Sequence, residues 1–153
     1  MEKSRGDIQL ACFSLGEKLF AVDIMRIKEI LLPQKLSSLP RASELLDGVI
    51  NLRGDVIPVM NMRKRFSMTS EGCDKPGKLL IVSLARQILA LIVDDVLEVI
   101  SVPVEEIKPP FQTITDVGME FLLGVCLSNE QVYMILDIDS LLGSQDMPEI
   151  LRS

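Results

Sequence analysis

Apolar residues in this chain fall into short runs broken by polar and glycine-containing stretches, a spacing that suits strands better than long helices. Residues 8–15 (IQLACFSL) read as a strand, Gly16-Glu17-Lys18 as a turn, and residues 19–22 as the returning strand. Asp23 then predicts the cap of a short helix, DIMRIKEI, in which Ile24, Ile27 and Ile30 or Leu31 share a face at helical spacing. Pro33 marks its end. A looped segment, QKLSSLPRASELLD, leads into GVINLRGDVIPVMNMRKRF, where two apolar runs flank Asn51-Leu52-Arg53-Gly54-Asp55. That pattern predicts a β-hairpin, with Gly54 free to take a positive φ. Asn61 is expected to cap a brief helical turn, MRKRF, and the polar stretch 67–76 (SMTSEGCDKP) reads as a linker. Strands follow at residues 78–84 and 87–93, turning near Ala85-Arg86, and then comes the strand-like VLEVISVP with a proline-rich stretch after it. Residues 121–127 and 132–136 flank Ser128-Asn129-Glu130 as a second hairpin. Short strands at close spacing with only brief helices predict small β-barrels.

An internal repeat sharpens this. GVINLRGDVIPVMNMRKRF lies without gaps on GVCLSNEQVYMILDIDSLL, placing Gly48 on Gly124, Val49 on Val125, Val59 on Ile135 and Asn61 on Asp137. Upstream, FAVDIMRIKEILLP resembles ALIVDDVLEVISVP, with Asp23 over Asp94. Two similar lobes are therefore expected within one domain, residues 8–147. Their approximate bounds are 16–77 and 78–142, with strand 8–15 assignable to either. Val49, Ile57, Val59, Ile81, Val93, Val125 and Ile135 are the expected shared core, and truncating one of them to Ala is expected to cost ~2–4 kcal/mol. The second hairpin carries Asn129-Glu130 where the first carries Arg53-Gly54, so the fold itself does not require an arginine in that turn.

Composition narrows the chemistry. At 153 residues and 48% apolar the chain can bury a substantial core, and with 4% aromatics Leu, Ile, Val and Met must fill most of it. Met60 and Met62 beside Asn61, and Met25 in the first predicted helix, read either as core filler or as adaptable binding surface. The net charge of −6 argues against a nucleic-acid surface. The one basic run, Arg63-Lys64-Arg65, reads as a solvated helix face. Histidine is absent, which removes the commonest general base and metal ligand. No phosphate-binding glycine loop and no nucleophile elbow occur. Asp94-Asp95 and Glu105-Glu106 read as ordinary surface charge. Cys12, Cys73 and Cys126 are widely spaced and make no Cys-x-x-Cys pair, and Cys12 and Cys126 read as core thiols in a reducing cytosol. The expectation is a cytoplasmic protein with no enzymatic activity, no cofactor, no metal, and neither signal peptide nor membrane-inserted segment.

GVINLRGDVIPVMNMRKRF resembles the central signature of the CheW-like coupling proteins of bacterial chemotaxis, and FAVDIMRIKEI resembles that family's segment just upstream. ILALIVDDVLEVISV and EFLLGVCLSNEQVYMILDIDSLL fit in the same order. The resemblance implies two small five-stranded β-barrels packed together. It also implies a scaffold that bridges the cytoplasmic tip of methyl-accepting chemoreceptors to the regulatory domain of a CheA-type histidine kinase, recruited to membrane-associated arrays. By the same resemblance the receptor lies in a groove of the first helix and the second lobe, contacted by Ile27, Glu29, Arg53, Val96 and Val99, with Gly54 shaping the turn. Asn61, Ala90 and Asp95 depart from the family pattern. Two alternatives stay open: a nucleic-acid-binding small barrel, against which charge and scarce aromatics count, and an adaptor of a non-flagellar pathway such as twitching motility.

Overall fold

In a computed structural model that describes residues 6–38, 44–68, 76–85, 87–110 and 118–142, ten strands form two five-stranded sheets. In chain order these are β1 (Asp7–Leu15), β2 (Lys18–Asp23), β3 (Ile27–Leu31), β4 (Leu46–Leu52), β5 (Asp55–Asn61), β6 (Lys78–Ser83), β7 (Ile88–Val93), β8 (Asp95–Pro103), β9 (Leu122–Ser128) and β10 (Gln131–Leu136). One sheet runs β8-β1-β2-β10-β9, and the other β3-β6-β7-β5-β4. Position by position they share one topology: antiparallel pairs throughout, except the parallel pairs β2–β10 and β5–β7. The repeat seen in the sequence is therefore real, but the lobes do not divide the chain at 77/78. The chain leaves the first sheet after β2, builds the whole second sheet, and returns at β8 to complete the first. Strand 8–15 belongs with β8 and β2, and one lobe is a circular permutation of the other. A linear repeat cannot reveal this, because it carries no information about which strand the chain enters first.

Neither sheet closes into a full barrel. Each is curled so that the segment after one edge strand makes a single bridge to the other edge, Ser37 to Val49 and Lys108 to Val125. Val49 and Val125 are repeat partners, and so are the glycines before them. A Cβ on Gly48 would lie 2.6 Å from the Ser37 carbonyl oxygen, and one on Gly124 would lie 2.7 Å from that of Lys108. The crossing backbone leaves no room for a side chain. Gly48→Ala and Gly124→Ala are each expected to destabilise by ~1–3 kcal/mol through backbone strain or loss of the bridge. Urea denaturation measures this, and a cost below ~0.5 kcal/mol for both would contradict the close approach.

Both faces of most strands are buried, which explains the unbroken apolar runs. Leu10, Cys12, Ala21, Ile100, Val102, Cys126, Tyr133 and Ile135 fill the first lobe, and Ile50, Ile57, Val59, Leu79, Ile81 and Ala90 fill the second. The alternate residues, among them Phe13, Phe20, Met60, Leu80, Leu91, Val125 and Met134, meet in a third cluster between the sheets. All seven expected core residues are buried, as are Met60 and Met62, whereas Met25 is exposed. Aromatics contribute more than their number suggests, because Phe13, Phe20, Phe66 and Phe121 form a continuous series of ring contacts.

Two local expectations are corrected. DIMRIKEI is not a helix: Asp23 does cap, accepting from the Met25 N–H at 2.9 Å, but only a 3-10 turn over Ile24–Arg26 follows before β3 begins. Pairing with β6 buries Ile27, Glu29 and Leu31 partly and leaves Lys28 and Ile30 outward, so period two overrides the helical spacing. Nor is Arg63-Lys64-Arg65 a solvated face. It forms α1 (Met62–Arg65), capped by Asn61, in which Arg63 is an ion-pair partner of Asp94, Lys64 pairs with Asp47 at 2.6 Å, and the Arg65 guanidinium sits 4.3 Å from the Phe121 ring centre. The expected linker 67–76 and Cys73 lie largely outside the described residues.

Candidate functional site

The β4–β5 connection is a two-residue turn, since Leu52 pairs with Asp55 and only Arg53 and Gly54 lie between them. Both have positive φ, 52° and 93°, as a type I′ hairpin requires. Gly54 takes this conformation without strain, and its N–H donates to Asn51 Oδ1 at 2.9 Å. Arg53 takes it with a full side chain, which is uncommon. In the equivalent turn Asn129 and Glu130 do the same, at 52° and 66°.

The Arg53 guanidinium reaches back across the curled sheet and donates through Nη2 to Glu29 Oε2 on β3. β3 and β4 are opposite edges of this sheet, so only its curvature brings the pair together. Arg53 remains 69% exposed at its side chain and Glu29 29%. The bond to Glu29, reinforced by charge attraction, pushes the guanidinium pKa up. Two of the expected site residues thus meet within one lobe, Arg53 being held toward β3 of its own sheet. Ile27, two residues before Glu29, packs partly on the inter-sheet cluster, as does Val96 of β8. Val99 is exposed on β8, an edge of the other sheet. Leu97 and Leu32 are exposed apolar residues not singled out in the sequence, and Ile30, expected on an apolar helix face, is exposed as well. Reading KEIL as an edge strand would have placed Ile30 outward.

Asp94 and Asp95 are not loose surface charge. Asp95 pairs with Lys78 at 2.8 Å. Asp94 accepts from Arg63 Nε at 2.9 Å and from the Gly16 N–H at 2.7 Å, joining α1 of one lobe to the β1–β2 turn of the other. The Arg63 hydrogen bond, working against burial and helped by the Gly16 amide, holds the Asp94 carboxyl below its usual range. With the folded value below the unfolded one, this stabilisation is complete above about pH 4 and is lost as pH falls through the folded value. Asp94→Asn is therefore expected to flatten the acid side of the stability profile. Urea melts below about pH 5 measure this, and an unchanged acid slope would show that the pair contributes nothing to folding.

Cys12 and Cys126 are buried, and desolvation pushes Cys12 up to about 12 and Cys126 upward as well. Such thiols are protonated and poor nucleophiles. Among the described residues, no group of three or more acidic, cysteine or histidine side chains is placed to hold a metal, and no helix is long and apolar enough to cross a membrane.

Comparison with known proteins agrees with this architecture. The CheW-like domain family matches residues 9–146. The chemotaxis protein CheW of Treponema pallidum is 34% identical over 146 residues, covering 93% of this chain and 86% of that protein. Protein FrzA of Myxococcus xanthus is 30% identical over 153 residues, covering 98% and 94%. The crystal structure of the scaffolding protein TtCheW from Thermoanaerobacter tengcongensis superposes with a TM-score of 0.83 at 30% identity, covering 94% of this chain and 93% of that one. With the family matched across nearly its whole length and its two permuted sheets in place, the chain belongs to the CheW-like domain family of chemotaxis adaptors.

Proposed function

We propose that this protein is a non-catalytic scaffold that couples the cytoplasmic tips of chemoreceptors to the regulatory domain of a CheA-type histidine kinase. In this reading it works in the cytoplasm and is recruited to membrane-associated receptor arrays. The observation that carries the reading is the Arg53–Glu29 pair, which sets a largely exposed guanidinium on a two-residue turn at the positions where the family signature has its arginine and acid. A planar guanidinium with donors to spare suits an acidic or carbonyl-rich protein surface. Ile27, Val96 and Val99 would supply the apolar part of that contact, and Gly54 the turn that carries Arg53. Co-sedimentation of the purified protein with receptor cytoplasmic fragments and the kinase regulatory domain tests the proposal. Stoichiometric ternary assembly is expected, and no binding to either partner would overturn it.

The similarity to FrzA, as extensive as that to the CheW proteins, supports a second reading, an adaptor of a non-flagellar pathway such as twitching motility. Motility assays of a deletion strain on swimming and surface media separate the two. A nucleic-acid role is disfavoured by the −6 net charge.

A further inference from the structure

Of the ion pairs that join the lobes among the described residues, two lie at corresponding places in the two sheets, with Arg63 and Asp139 aligned by the internal repeat and opposite in charge. In the first, Arg63, two residues after the Asn61 cap, binds Asp94, and Asp94 also accepts the Gly16 amide of the β1–β2 turn. In the second, Asp139 occupies the position equivalent to Arg63, two residues after Asp137. It accepts from Arg26 Nη2 at 2.7 Å and from the Ala85 amide of the β6–β7 turn at 3.2 Å. Arg26 is held further by donation from Nε to the Ser83 carbonyl at 2.9 Å. In each case a carboxylate bonds both an arginine and the amide of a hairpin turn, Asp94 that of the sheet its strand β8 joins and Asp139 that of the opposite lobe, and in each case one member stands just before an edge strand. Arg26 directly precedes β3, and Asp94 directly precedes β8.

Those edge strands need an anchor. Each is paired in its sheet on one side only, and each departs from regular pairing near its start: β3 between Ile27 and Glu29 against β6, and β8 between Val96 and Val99 against β1. Such irregularities weaken the ladder and leave the register dependent on other contacts. We infer that the two clasps, Arg26–Asp139 and Arg63–Asp94, are positioning devices that set where β3 and β8 begin and so hold the contact residues of those strands in place for a protein partner. The inference rests on the proposed scaffold role, because Ile27 and Glu29 follow Arg26 closely, and Val96 and Val99 follow Asp94. The Arg26–Asp139 pair, 34% and 45% exposed, adds little to global stability, so its effect is expected to be local. The Arg63–Asp94 pair, 13% and 23% exposed, also stabilises the fold, and its local effect is read as exchange in β8 beyond any uniform rise.

Amide hydrogen exchange of the full chain tests this, read strand by strand for Asp139→Ala and Asp94→Ala, with Asp94→Asn in reserve should the alanine variant not fold. Asp139→Ala is expected to speed exchange in β3 by about tenfold while leaving β8 unchanged, and Asp94→Ala to do the reverse. Each should also weaken co-sedimentation with receptor fragments severalfold. A uniform rise across all strands would mean that the pairs are merely structural, and no rise in the adjoining strand would overturn the inference. Local loosening without loss of assembly would refute the link to binding. Failure of the unmodified protein to assemble would sink the scaffold reading instead, and the exchange pattern would still decide the clasps.

Discussion

Phe20→Ala is expected to cost about 3–5 kcal/mol of folding stability, more than truncation of any of the smaller aliphatic core residues. Phe20 is fully buried on β2 and lies in the middle of the ring series. Its ring is 5.6 Å from that of Phe13 and 5.4 Å from that of Phe66, both nearly parallel, and Phe66 in turn meets Phe121 at 5.7 Å. Phe13 and Phe20 come from the first sheet, and Phe66 follows α1 at the end of the second sheet's β5. Removing the central ring deletes two aromatic contacts, each worth ~0.5–1.5 kcal/mol beyond area, and leaves a cavity where the two lobes meet. Because the surrounding cluster draws residues from both sheets, the variant should still unfold in one transition. Chemical denaturation followed by circular dichroism supplies both readouts. A loss below ~1.5 kcal/mol, or separate unfolding of the lobes, would refute a shared core.

Arg53→Ala should show the opposite pattern, with stability within ~0.5 kcal/mol of the unmodified chain and assembly weakened by ~1–3 kcal/mol. An exposed single ion pair contributes little to folding, and alanine bears the same left-handed conformation at a cost similar to that of arginine. What is lost is a guanidinium already oriented by Glu29, so a partner need not order it on binding. Glu29→Gln separates orientation from charge: it keeps a hydrogen-bond acceptor for Arg53 and should weaken assembly less than Arg53→Ala does. Thermal melting paired with recruitment into a receptor–kinase complex decides the matter. Normal recruitment with a lowered melting temperature would make Arg53 structural.

Much of this protein is set by local pattern. The paired apolar runs, the Gly54 turn, the caps at Asp23 and Asn61 and the duplicated hairpins all follow from interactions spanning a few residues, and the sequence carries them openly. The identity of the signature around Arg53 was legible for the same reason. What only the tertiary structure decided involves partners distant in sequence. DIMRIKEI becomes an edge strand because β6 offers it a ladder, and pairing outweighs weak helical periodicity. The lobes interleave because strand order depends on where the chain crosses between sheets, which composition does not encode. Arg63 and Asp94, 31 residues apart, read as surface charge until folding sets them opposite each other, and nothing local marks Arg26 and Asp139, 113 apart, as a pair. Arg53 likewise finds Glu29 only because the second sheet curls until side chains from its two edges come within reach, a long-range curvature invisible to any local pattern.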